Sequence, residues 1–96
     1  MLKITVQDEP EHVRLQLEGN LAGPWVGDLE EAWRAAQSTL NGRSLSLDVT
    51  AVGFVDPAGR YLLALLRCRG SRLIASGTVM TEFVLTLEED WSPRHE

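Results

Sequence analysis

The sequence predicts an α/β domain: a mixed β-sheet of four to five strands with helices packed on it, opening with an antiparallel hairpin. Three observations carry this. Near the N-terminus, two runs of alternating apolar and polar residues flank a short turn. Further on, segments with a helical period alternate with short apolar runs. The resulting order is strand, strand, helix, strand, helix, strand, helix. Strand–helix–strand units imply parallel pairing through right-handed crossovers, whereas two runs joined by a few residues pair antiparallel.

The elements follow in order. Leu2, Ile4 and Val6 alternate with Lys3, Thr5 and Gln7, which predicts a half-buried strand. Asp8-Glu9-Pro10-Glu11 is a turn, because Pro10 cannot donate to a ladder. Val13, Leu15 and Leu17 then point in, with His12, Arg14, Gln16 and Glu18 out; Gly19-Asn20 is expected to end this strand. Gly23-Pro24 opens a helix in which Val26, Leu29, Trp33, Ala36 and Leu40 recur at helical spacing. Asp28, Glu30 and Glu31 make its first half acidic, as the helix dipole prefers. Asn41-Gly42 stops it with residues suited to a left-handed conformation.

Residues 45–59, LSLDVTAVGFVDPAG, come next. Leu45, Leu47 and Val49 alternate with Ser46 and Asp48 as a buried strand. A loop is then expected to carry Val52, Phe54 and Val55 inward. Asp56 stands where a helix N-cap belongs, and Pro57 at the first helical position. The apolar run from Tyr61 to Leu66 continues that helix to about Arg69, with Arg67 and Arg69 complementing its C-terminal dipole and Gly70 ending it. Residues 72–76, RLIAS, form a short strand. Thr78 can cap a third helix with Val79, Phe83 and Leu87 inward, or Met80, Val84 and Leu87. We expect one domain over residues 1–88 and a polar C-terminal tail over 89–96, anchored by Trp91 alone.

Composition narrows function by exclusion. Of the 96 residues, 44% are hydrophobic and 24% charged, as in an ordinary globular domain. The net charge of −5 and the lack of a basic stripe argue against nucleic acid and against an anionic membrane surface. No run is long enough for a membrane span and no signal-peptide pattern opens the chain, so the expectation is a cytoplasmic protein with no direct membrane insertion. One cysteine, Cys68, leaves no internal disulfide. It is expected as a buried or half-buried structural thiol, since a helix C-terminus does not lower a thiol pKa. His12, on the outer face of an edge-like strand, and His95, in the tail, read as solvated histidines. No metal-ligand spacing and no Gly-rich phosphate loop is present, so neither metal nor cofactor is expected.

Two carboxylates remain. Asp48 points opposite to Leu47 and Val49, near the expected end of its strand, where ligands and partners gather in open sheets. Asp56 is first a cap. A helix N-terminus also attracts anions, but Pro57 removes one donor and Asp56 adds negative charge beside it. Arg60, in the first helical turn, opposes the dipole and is read as an exposed surface or contact residue.

These residues resemble the signature of STAS domains, the family of anti-sigma-factor antagonists and of the cytoplasmic tails of sulfate transporters. The family pattern is an apolar strand ending in Leu-Asp, a short loop, then Phe-Ile/Val-Asp-Ser-Ser/Ala-Gly and an apolar helix. Leu47-Asp48-Val49-Thr50 and Phe54-Val55-Asp56-Pro57-Ala58-Gly59 match in order and spacing. Leu17-Glu18-Gly19 with Leu21 resembles the family's motif before its first helix, and Leu73-Ile74-Ala75-Ser76-Gly77 its next strand. The resemblance spans residues 2–87 and implies a SpoIIAA-like fold. In antagonists of the partner-switching type, a serine at the helix start is phosphorylated, which repels the partner kinase. Aligned on Asp56 and Gly59, that position is Ala58, and the other serine position is Pro57; neither can be phosphorylated. Thr50 is the nearest hydroxyl of the motif in sequence, with Ser76 and Thr78 further on; Thr50 is expected to satisfy loop backbone instead.

The resemblance implies a non-catalytic protein–protein interaction module, docking through residues 56–60 and the adjoining helix face onto an ATP-binding anti-sigma kinase. Asp48, Thr50, Asp56, Pro57, Ala58, Gly59 and Arg60 are its motif and docking candidates. The alternative is a small cytoplasmic STAS subunit of a lipid-transport ATPase complex, in which Ala58 fits directly. An enzyme ranks last. A homodimer through the hairpin edge is open to such a chain.

Overall fold

The structure, a computed structural model, describes residues 1–75. Strands β1 (Leu2–Asp8), β2 (His12–Leu21), β3 (Ser44–Val55) and β4 (Arg72–Ile74) form one sheet in the order β1-β2-β3-β4. The hairpin β1–β2 is antiparallel, with Ile4 opposite Leu17 and Val6 opposite Leu15; β2–β3 and β3–β4 are parallel. Helices α1 (Trp25–Gln37) and α2 (Pro57–Cys68) make the two crossovers. The α/β class, the opening hairpin and the mixed sheet are thus as read from the sequence, with four strands among the described residues. The expected third helix, the tail, Ser76, Thr78 and His95 lie outside them.

One face of the sheet makes the core. Leu15, Leu17 and Leu21 of β2 and Leu47 and Val49 of β3 are fully buried against Leu29 of α1 and Leu63 of α2. Each such side chain contributes about 1.5–3 kcal/mol by leaving water. Trp33 is buried as well, and its Nε1–H donates to the Ser71 hydroxyl at 2.8 Å, joining α1 to the link between α2 and β4. At the other end of α1, Arg43 donates to the Leu40, Thr39 and Glu9 carbonyls and pairs with Asp8. It fastens the end of the helix region to the β1–β2 turn.

Several expectations are corrected. β2 does not stop at Gly19-Asn20 but runs to Leu21, because Gly19 adopts φ +106° and keeps the strand in the ladder. A side chain at Gly19 would collide with the Met1 carbonyl oxygen. β2 is an interior strand, and His12 is half-buried with Nε2 3.4 Å from the Glu9 carboxylate. α1 ends at Gln37, short of Leu40, where the Ser38 and Thr39 hydroxyls donate to the Ala35 and Ala36 carbonyls. Asn41 and Gly42 then take positive φ, as expected. Val6 is exposed although its neighbour Leu15 is fully buried, whereas Leu2 and Ile4 of the same strand pack half-buried against the core. Cys68 is exposed, because it sits past the buried stripe that ends at Leu66.

The largest correction concerns residues 50–55. They are strand, not loop, and β3 is twelve residues long. Its register against β2 slips twice, between Gln16 and Glu18 and between Gly19 and Asn20. At each slip β3 carries one extra residue, so its buried apolar positions fall at Leu45, Leu47, Val49 and Val52, with Val55 half-buried. Phe54, expected to point inward, is therefore 55% exposed.

Candidate functional site

The end of β3 and the start of α2 place residues 54–61 at one end of the sheet. Asp56 leaves the strand in an extended conformation (φ −84°, ψ 174°), the geometry of an N-cap, and Pro57 follows at the first helical position. Its Oδ1 accepts the Gly59 N–H at 2.7 Å. The Arg60 N–H donates to the Asp56 carbonyl at 2.9 Å, closing the first helical turn.

The second oxygen has another use. Asp56 Oδ2 accepts the Gly23 N–H at 2.9 Å, across 33 positions of sequence. Gly23 has φ +58°, and Pro24 behind it caps α1 with no side-chain hydrogen bond. One carboxylate thus secures both helix starts, and the Asp56 N–H donates in turn to the Leu21 carbonyl at the end of β2. Hydrogen bonds from the Gly23 N–H, then those of Gly59 and Ala58, hold the Asp56 pKa below its ordinary 3.8. The helix start therefore already holds an anion, its own Asp56, in the place an external phosphate would take.

Gly59 fixes how close α2 comes to the sheet. A Cβ there would lie 2.5 Å from the Leu21 carbonyl oxygen and 3.1 Å from Val55 Cγ1. Around this rigid base, Pro57 and Ala58 are exposed, and Phe54 and Tyr61 flank them at 55% and 56% exposure. Arg60 is half-buried, not fully exposed as the sequence alone suggests.

The structure gathers Asp56, Pro57, Ala58, Gly59 and Arg60 at the turn but leaves Asp48 and Thr50 apart. Asp48 is in the middle of β3 rather than at its end, roughly 20 Å or more along the strand from Asp56. It is half-buried, and its Oδ1 accepts the Thr50 N–H at 3.0 Å across the first register slip. The Asp48 carboxylate thus satisfies a backbone N–H within this irregular stretch of β3. Sequence reasoning misses Gly23 and Phe54. The first has a signal: α1 starts at Gly-Pro without a capping side chain of its own, so the chain ahead of it has to be held from elsewhere. Among the described residues no group of three His, Cys, Asp or Glu is placed to hold a metal, and no helix is long and apolar enough to cross a membrane.

No family model and no curated protein matches the chain. Solved structures do. An anti-sigma factor antagonist from Mycobacterium paratuberculosis is similar at TM-score 0.77 and 21% identity, covering 96% of this chain and 84% of that one. A protein with a SpoIIAA-like fold from Shewanella loihica is similar at TM-score 0.61 and 11% identity, covering 96% and 80%. The crystal structure of Mglu matches over 78% of this chain at TM-score 0.54 and 26% identity, but over only 19% of that protein. With its hairpin-led four-stranded mixed sheet and two crossover helices, the chain has the SpoIIAA-like α/β fold of STAS domains.

Proposed function

We propose that this chain is a non-catalytic protein–protein interaction module of the anti-sigma-factor-antagonist type, docking through residues 54–61. The observation that carries this is the pairing of a rigid base with an exposed apolar rim. Asp56 is held by two backbone N–H groups, one at the start of each helix, while Phe54, Pro57, Ala58 and Tyr61 are turned to solvent. Aromatic side chains on a preorganised turn bind with little ordering cost. The similarity of the whole fold to an anti-sigma factor antagonist favours an ATP-binding anti-sigma kinase as the partner. Pro57 and Ala58 leave the two serine positions without a hydroxyl, so binding there is not released by phosphorylation of the turn.

The test is a calorimetric titration with the anti-sigma kinase of the same host. Binding is expected, weakened at least about tenfold by Arg60→Glu, with Tm nearly unchanged. Equal affinity of the variant removes Arg60 from the interface; no binding of either protein overturns the kinase reading. A second reading, a STAS subunit of a lipid-transport ATPase complex, rests on Ala58 at the helix start. It predicts co-purification with that ATPase and no affinity for the kinase.

A further inference from the structure

Away from the turn, the outer edge of the sheet carries a surface that fits a copy of itself. Among the described residues β1 is an edge strand, paired with β2 on one side only. Its seven residues run against β2 without a register shift, and no proline or bulge interrupts them. Edge strands are commonly blunted by such interruptions or by charges pointing inward. The charged side chains of β1 are Lys3, on the face away from the core, and Asp8 at its end, which pairs with Arg43 of the same chain.

The ladder fixes which backbone groups face outward. The Asn20 N–H donates to the Met1 carbonyl at 2.8 Å, and the Glu9 N–H to the His12 carbonyl at 2.9 Å. Hydrogen-bonded pairs alternate along an antiparallel ladder, so Lys3, Thr5 and Gln7 turn their N–H and C=O groups to β2. Leu2, Ile4, Val6 and Asp8 turn theirs to the open edge. The side chains of Ile4 and Val6 stand beside Leu17 and Leu15 on the core face. There Ile4 packs against the core, whereas Val6 is 56% exposed.

The outward groups are symmetric about Thr5, and this symmetry selects the occupant. We propose that β1 pairs antiparallel with β1 of a second copy of the chain, about a two-fold axis at Thr5. Leu2 then lies opposite the partner's Asp8, and Ile4 opposite the partner's Val6, so every outward N–H and C=O of both strands is used. A slide of two residues toward the turn sets Leu2 against Pro10, which has no N–H to give; a slide the other way leaves Asp8 unpaired. In the two-fold register the partner's Ile4 covers the exposed Val6, an apolar cross-strand pair of the kind that stabilises sheets. On the other face Thr5 meets the partner's Thr5, and Lys3 faces the partner's Gln7 with the partner's Glu9 on the diagonal. No like charges are opposed. Both β1 edges are consumed, so the assembly closes as a dimer and does not extend. One strand pair buries less area than a standard interface, so the association is weak. The contact does not depend on the role assigned to residues 54–61.

Sedimentation of the full chain across a concentration series up to about 1 mM tests this. A monomer–dimer equilibrium with Kd of about 100 μM is expected, weakened at least about tenfold by Val6→Lys. Val6 is exposed in the single chain, so the Tm of the variant stays near that of the parent. Isotope-filtered NOEs in a mixture of labelled and unlabelled chains read the register: Thr5 Hα to the partner's Thr5 Hα, and Lys3 Hα to the partner's Gln7 Hα, both non-hydrogen-bonded pairs with close side-by-side backbones. A chain that stays monomeric at about 1 mM, a dimer that Val6→Lys leaves intact, or a dimer without these contacts overturns the proposal.

Discussion

The two described helices start in opposite ways. α2 carries its own cap: Asp56, Pro57 and a glycine packed against the sheet. α1 starts at Gly23-Pro24 with a left-handed glycine in open space and no capping side chain. Yet that start is not loose, because the spare oxygen of Asp56 accepts the Gly23 N–H just ahead of α1. The better-built start supports the weaker one. Any variant that disturbs the turn at the proposed docking surface therefore disturbs α1 as well.

The sharpest way to break this contrast is Gly59→Ala. Helix propensity alone favours alanine by about 1 kcal/mol. The Cβ would collide with the Leu21 carbonyl, and we expect a net loss of about 2 kcal/mol, seen as a fall in Tm of roughly 10 °C. No fall would mean that α2 can lift off β2 freely. Asp56→Asn comes next, and its signature is in the pH profile. The folded-state pKa of Asp56 lies below 3.8, so its carboxylate stabilises the fold fully above the ordinary carboxylate range. That contribution is lost as pH falls through the lowered folded value. Denaturant melts of the two proteins should differ at neutral pH and converge in acid; a pH-independent gap would show that charge is not what the two N–H groups require.

Gly23→Ala tests the α1 side. Nothing lies within 4 Å of the added Cβ, so only the positive φ is penalised, at about 1 kcal/mol in a chemical melt. A loss as large as that of Gly59→Ala would erase the distinction between torsional and steric glycines. Smallest of all is Ala58→Ser, at an exposed position beside the cap. We expect no change in Tm, together with phosphorylation on incubation with the anti-sigma kinase and ATP, read by mass spectrometry. If the Ala58→Ser protein stays unmodified, this turn is not presented to such a kinase.

Much of the fold is legible in the sequence because its signals are local. The period-two runs at Leu2–Asp8 and from His12 onward report strands, and in β2, as in the helical spacing of Leu29, Trp33 and Ala36, the apolar positions report burial as well. So does the cap at Asp56, whose partner Gly59 is three residues away. What escapes is non-local. Alternation in β3 breaks at Thr50 and Ala51, and a broken period reads as loop; only the register against β2 shows two extra residues within a continuous strand. The exposure of Phe54 follows from that register and is misjudged without it. The Gly23–Asp56 bond joins positions that no spacing rule connects. For Cys68, the general tendency of cysteine to be buried misleads, whereas the helical phase of α2 puts it past the buried stripe.

The strand order has a consequence for assembly. Each described strand lies beside the one that precedes it in the chain, from β1 to β4. Among them no strand must leave a gap for a later one to fill, and the growing edge is always the newest strand. Contacts accumulate between consecutive elements, so closing each crossover costs only the entropy of its own loop and helix. The bulged end of β3 is the point where this growth passes from the first crossover to the second. By then β2 is already in place to supply Leu21, the residue against which α2 must seat.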